Sequence, residues 1–183
     1  MEKMHKMDKI EELLEKYDKN IYEVCLYELH DNPKLAVEFL EKYGNKTDLR
    51  YYYTEIDCYD SLAHQELKNK NYEDALKHLL FVSEKLPEYS KFYYGIGVAY
   101  FYLGDYAKAI EYINTAIDKA KSITVNNLPT AIEVNKSFAR YYDDLGAVYE
   151  KIGNEEGAKK CSDKYKEYSA KVNEMENTNK EEA

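Results

Sequence analysis

The sequence predicts an all-α protein of about nine antiparallel helices arranged as stacked hairpins, and two observations carry that prediction. Only 7 Gly and 3 Pro occur in 183 residues, too few for the many tight turns of a sandwich or barrel. A pattern of aromatic, apolar and small residues also returns with a period of 34 between Ala75 and Ala109, and again, with an insertion of 15, at Ala158. A chain of this length forms one domain or slightly more and buries a real core.

Residues 3–17 read as an amphipathic helix, with Met4, Met7, Ile10, Leu13, Leu14 and Tyr17 on one side. Residues 20–30 and 33–43 form a helical pair, Pro33 standing where a first helical residue tolerates proline. Segment 18–55 holds this pair and its connection. Three hairpins follow over 56–89, 90–123 and 139–176, with 124–138 as the insertion. The insertion begins with a loop over 122–128, and Pro129 opens a long helix running to about Ile152. Residues 177–183 are polar and acidic, and a frayed, disordered tail is expected there.

Within the repeats, Tyr59, Tyr93 and Tyr142 each stand sixteen residues before the marker alanine. Leu62, Ile96 and Leu145 stand thirteen before it, and Ala63, Gly97 and Gly146 twelve before it. Tyr93, Gly97 and Tyr100, at i, i+4 and i+7, lie on one helix face, and the small residue there admits a neighbouring helix closely. Gly104 suits a helix stop and Asp105 the N-cap of the next helix; Gly153-Asn154 repeats the device. Asn71 opens the second helix of the first hairpin, with Glu73 and Asp74 favourable in its first turn.

These residues resemble the tetratricopeptide repeat (TPR). The middle copy is the clearest: Tyr93 stands in the Trp slot, Ile96-Gly97 in the Leu-Gly pair, and Ala109, Ile113 and Ala116 in the second-helix slots. The first copy has Pro87 at the closing proline but Lys70 at the turn glycine and Glu66 in the Tyr slot. The third copy departs in its second helix at Ser162 and Tyr165, which fits a terminal helix with one wet face. The resemblance implies a right-handed TPR α-solenoid of three clear repeats plus a degenerate N-terminal pair. It also implies a concave groove lined by first helices. Carried over position by position, the peptide-binding residues are Asp57, Asp60 and His64 from the first copy. The second supplies Lys91, Tyr94, Val98, Phe101 and Tyr102, and the third Arg140, Asp143 and Ala147. An aromatic, apolar middle with charged ends suits a peptide with an apolar anchor and one or two basic residues. A chaperone-tail carboxylate clamp is not expected, because Asp60 and Asp144 flank Lys91 and Arg140.

Chemistry has little foothold. No metalloprotease, phosphate-loop or nucleophile-elbow motif occurs, and Cys25, Cys58 and Cys161 form no CxxC pair. Asp57, Asp60 and His64 share a face that could hold a divalent cation if it were concave and partly dry, but a solvated polar face is the expected reading. No catalytic residue, metal or cofactor is expected. Lys plus Arg total 26 against 35 Asp plus Glu, a formal charge of −9 that argues against nucleic acid as a partner. No apolar run is long enough for a membrane span or secretory signal, so a cytoplasmic location is expected, with reduced thiols. The expected role is an adaptor or scaffold that binds a protein or peptide. The alternatives are a secretion-type chaperone for a client protein and a self-associating structural subunit, a homo-oligomer held by the Tyr-rich faces.

Overall fold

The computed structural model describes residue 12 and residues 14–17, 20–28, 30–123 and 128–181. Every regular element among them is helical. In order they are α1 (Ile21–Glu23), continuing into a π-helical turn (Val24–Glu28), α2 (Pro33–Tyr43), α3 (Leu49–Lys68) and α4 (Tyr72–Lys85). Then come α5 (Ser90–Leu103), α6 (Tyr106–Lys121), α7 (Leu128–Lys151) and α8 (Glu155–Glu181). The fold is all-α and of the helical-hairpin solenoid class. The chain divides into two compact units, Met1–His78 and Leu79–Ala183, with the division falling inside α4. The amphipathic helix expected over 3–17 falls mostly outside the described residues; residues 12 and 14–16 are helical.

In the first unit, Asn32 caps α2 through its side chain, which accepts from the Leu35 N–H, and Pro33 opens the helix as expected. The core gathers Val24 and Cys25 from the π turn, Ala36, Phe39 and Leu40 from α2, and Tyr51, Cys58 and Leu62 from α3. The helix expected over 20–30 is therefore an α-turn that widens into a π turn. That widening lets Tyr22, Val24 and Cys25 all enter the core, which the spacing of an α-helix does not favour for adjacent residues. α3 starts two turns before residue 56, because the Asp48 carboxylate caps it by accepting from Arg50 N–H at 2.8 Å.

In the second unit, α5 and α6 form a hairpin whose turn is Gly104 at φ +82°, followed by Asp105, which accepts from Lys108 N–H at 3.1 Å. Gly97 sets their spacing. A β-carbon there would stand 2.6 Å from Ile113 Cγ1 and 3.2 Å from the Ala109 carbonyl oxygen. Ala109, Ile113, Ala116 and Leu145 form the core with Cys161 from α8. α7 and α8 form the second hairpin of this unit, turning at Gly153 (φ +72°), with Asn154 accepting from Gly157 N–H at 2.9 Å. α8 buries Cys161 and Val172 and stacks Tyr168 on Phe138 and Tyr142, while Ser162 and Tyr165 face solvent.

One expectation is corrected. The tail read as disordered over 177–183 is helical to Glu181, because α8 is anchored just before it. Glu176 pairs with Lys136 of α7 at 3.0 Å, and Thr178 Oγ1 donates to the Glu174 carbonyl at 3.1 Å. Those contacts carry the helix past Asn177 despite its polar composition.

Candidate functional site

The groove residues inferred from the sequence fall into both units and are described within each. In the first unit, Asp57, Asp60 and His64 lie along α3. Asp57 and His64 are exposed and Asp60 is half-buried. His64 does not project away from its helix: Nδ1 sits 2.8 Å from the Asp60 carbonyl and 3.3 Å from Asp60 Oδ1. Among the described residues no group of three His, Cys, Asp or Glu is arranged to hold a metal ion. Leu49 and Tyr53, two exposed side chains at i and i+4 on the added turns of α3, extend the helix surface with apolar character.

In the second unit, α5 carries Lys91, Tyr94, Val98, Phe101 and Tyr102, and α7 carries Arg140, Asp143 and Ala147. Tyr102 is 58% exposed, and the half-buried Phe101 packs edge-on against it at 5.2 Å and in a tilted contact with Tyr106 at 5.9 Å. Val98 and Ala147 are half-buried, while Lys91, Arg140 and Asp143 are exposed. Lys91 Nζ lies 5.0 Å from the centre of the Phe92 ring. Of the two aromatic side chains, Tyr102 is the exposed one and Phe101 is half-buried.

Tyr94 stands apart from this set. Its hydroxyl donates to Asp144 Oδ2, and its ring stacks on Tyr141 at 4.7 Å. Tyr141 is buried, and its hydroxyl lies 3.3 Å from Ser90 Oγ. Ser90 and Tyr94 of α5 are thereby tied to Tyr141 and Asp144 of α7. Burial, then the Asp144 charge, pushes the Tyr94 hydroxyl well above the ordinary tyrosine range. Burial also raises the Asp144 carboxyl, against the lowering effect of the Tyr94 hydrogen bond and the Arg140 charge. Tyr94 therefore positions α5 on α7 and leaves Phe101 and Tyr102 as the aromatic face. Sequence reasoning marked Asp144 only as an unfavourable clamp charge; its pairing with Tyr94 spans 50 residues across an insertion, and no local pattern reveals it.

Helical hairpins closed on Gly97 and Ala109 define a helical-repeat protein. Residues 90–122 match the family model of the tetratricopeptide repeat, so α5 and α6 form one such repeat. Three solved structures are similar in fold. A crystal structure of MamA is 22% identical with a TM-score of 0.63, covering 90% of this chain and 86% of that one. A crystal structure of MamA protein is 22% identical with a TM-score of 0.59, covering 88% and 79%. BtubC (BKLC) from P. vanneervenii is 19% identical with a TM-score of 0.59, covering 79% of this chain and 56% of BtubC. At such identities the likeness establishes the fold.

Proposed function

We propose that the protein is a non-catalytic adaptor or scaffold that binds a polypeptide partner through the first helices of its repeats. The observation that carries this reading is Tyr102, exposed beside the half-buried Phe101 on α5, the first helix of the matched tetratricopeptide repeat. Tyrosine suits recognition because it offers a large area, a polar tip and few rotors. Lys91, Val98, Arg140, Asp143 and Ala147 complete the contact set in the second unit. Asp57, Asp60 and His64 serve in the first, where the carboxylates favour a partner with basic residues. No helix among the described residues is long and apolar enough to cross a membrane. We infer a cytoplasmic location, in keeping with three free, buried cysteines, and no nucleic-acid partner, in keeping with the net charge of −9.

The test is a pull-down with wild type and the variant Tyr102→Ala, whose side chain is exposed and lies outside the buried core of the second unit. A partner retained by wild type and weakened roughly tenfold or more by the variant supports the reading. Identical captured proteins would refute it. Light scattering over a concentration series separates a partner of another sequence from a second copy of the chain.

A further inference from the structure

Two of the three cysteines stand together. Cys25, in the π turn, and Cys58, in α3, are both buried in the core of the first unit. They line one small cavity of about 70 Å3 with Pro33, Ala36, Asp57 and Ser61, and His30 and Leu26 complete its wall. The π turn and α3 pack directly on each other, so both thiols belong to one seam of this core. Cys25 Sγ donates to the Ala36 carbonyl at 3.7 Å, and Cys25 is the largest influence on the Cys58 thiol. The widened turn is what admits Cys25 to the core beside Val24, so an α-helical turn would not place the two thiols together as readily. Cys161 lies far along the chain in the second unit, buried between α7 and α8.

We propose that Cys25 and Cys58 form a dithiol site that a small hydroperoxide converts into an intramolecular disulfide. The sulfur of Cys25 attacks one peroxide oxygen; the O–O bond breaks, Cys25 becomes a sulfenic acid, and one water leaves when the oxidant is hydrogen peroxide. The sulfur of Cys58 then attacks the sulfenic sulfur, forming the S–S bond. The sulfenic hydroxyl leaves with the Cys58 proton as a second water. Two thiols are oxidised by two electrons, and one peroxide is reduced to two waters. The cavity has room for a water-sized molecule, so it admits a small peroxide.

The surroundings set the pace. Cys25, then burial, then the negative charges of Asp57 and Glu55 keep the Cys58 thiol protonated far above the ordinary thiol range. The conversion is slow near neutrality and accelerates in alkali. It answers sustained exposure to oxidant rather than a brief pulse. Once formed, the bond fastens the π turn to the middle of α3, the helix that displays Asp57, Asp60 and His64.

The experiment exposes the full chain to hydrogen peroxide in mildly alkaline buffer, unfolds it, alkylates free thiols and measures intact mass and peptides. The expected result is a fall from three alkylated thiols to one, loss of two hydrogens, and a peptide joining Cys25 to Cys58 that dithiothreitol releases. Cys161→Ser is expected to form the same bond with no thiol left. Cys58→Ser is expected to stop at a sulfenic acid that a dimedone probe traps; if that variant does not fold, Cys161→Ser carries the test. Three alkylated thiols after oxidation, a sulfinic acid without a crosslink, or a crosslink to Cys161 or between chains would overturn the proposal.

Discussion

The α3–α4 and α5–α6 hairpins place different chemistry at matching positions. In the second, Tyr112 stacks on Tyr100 at 5.5 Å and lies parallel to Tyr93 at 6.5 Å. Thirty-four residues earlier stand Tyr59, Glu66 and His78. There the His78 Nδ1 meets Glu66 Oε2 at 2.8 Å, and its ring packs at 5.3 Å from the Tyr59 ring. The Tyr59 hydroxyl is in turn held by Glu41 Oε1 at 2.9 Å. An aromatic stack has been exchanged for a polar pair, and both members changed together. The turns differ as well: Gly104 adopts φ +82°, whereas Lys70 adopts φ +65° at the equivalent place. A repeat tolerates a polar or strained copy where its partner residues change in concert.

The largest effect is expected where the second hairpin depends on closeness. Gly97→Ala puts a methyl 2.6 Å from Ile113 Cγ1 and 3.1 Å from the Ile113 backbone nitrogen. The backbone cannot yield cheaply, so a loss of about 2 kcal/mol is expected, measured by urea unfolding. Ala109→Leu acts on the same seam, since Ala109 is fully buried, and costs about 1–3 kcal/mol. An unchanged melting temperature in both would mean that α5 and α6 do not meet at these residues.

Next in size is the polar pair. Glu66→Ala leaves His78, only 17% exposed, without its carboxylate, and a loss of about 1–2 kcal/mol is expected. Glu66→Tyr/His78→Tyr transplants the stack of the second hairpin. It is expected to be more stable than either single variant, with a coupling of about 1 kcal/mol in a double-mutant cycle. Additive single effects would show that the two positions do not interact.

The sequence made the hairpin legible because its devices are local. Gly104 and Asp105 sit side by side, Asn32 precedes Pro33, and the Gly97-to-Ala109 spacing recurs. Glu66 was legible only as a departure from the aromatic pattern. Its compensation by His78 is visible only when the two copies are superposed, since a Glu twelve residues from a His is unremarkable by itself. The π turn was invisible for another reason. Apolar periodicity over Ile21–Glu28 does not distinguish one helical pitch from another, and the widening follows from the core contacts of Val24 and Cys25. Of the candidate site, the positions on α3, α5 and α7 could be read, but the internal role of Tyr94 could not, because Asp144 lies beyond the insertion.

A smaller effect is expected at the turns. A non-glycine residue in the left-handed region costs about 1–2 kcal/mol relative to one that prefers it. Lys70→Gly is therefore expected to stabilise the first hairpin by about 1 kcal/mol, and Gly104→Lys to destabilise the second by a similar amount. Nothing crowds a β-carbon at Gly104, so the change isolates backbone conformation from packing. Shifts of one sign in both variants would separate the two turns physically.

The smallest effect belongs to Asp144, which has no counterpart in the first hairpin. Its folded-state carboxyl holds its proton more tightly than in the unfolded chain, chiefly because it is buried. Stability is therefore highest below the unfolded carboxylate value and declines as pH rises through the higher folded value. Asp144→Asn removes the ionisation and keeps an oxygen to accept from Tyr94. The variant is expected to gain under about 1 kcal/mol at neutral pH, a figure limited by solvent screening. The gain should shrink as pH falls into the carboxylate range, because the wild-type side chain is then neutral as well. Denaturation of both proteins across that range reads the difference directly. A variant less stable at neutral pH than at low pH, relative to wild type, would mean that the charged hydrogen bond from Tyr94 outweighs burial and that ionised Asp144 holds α5 on α7.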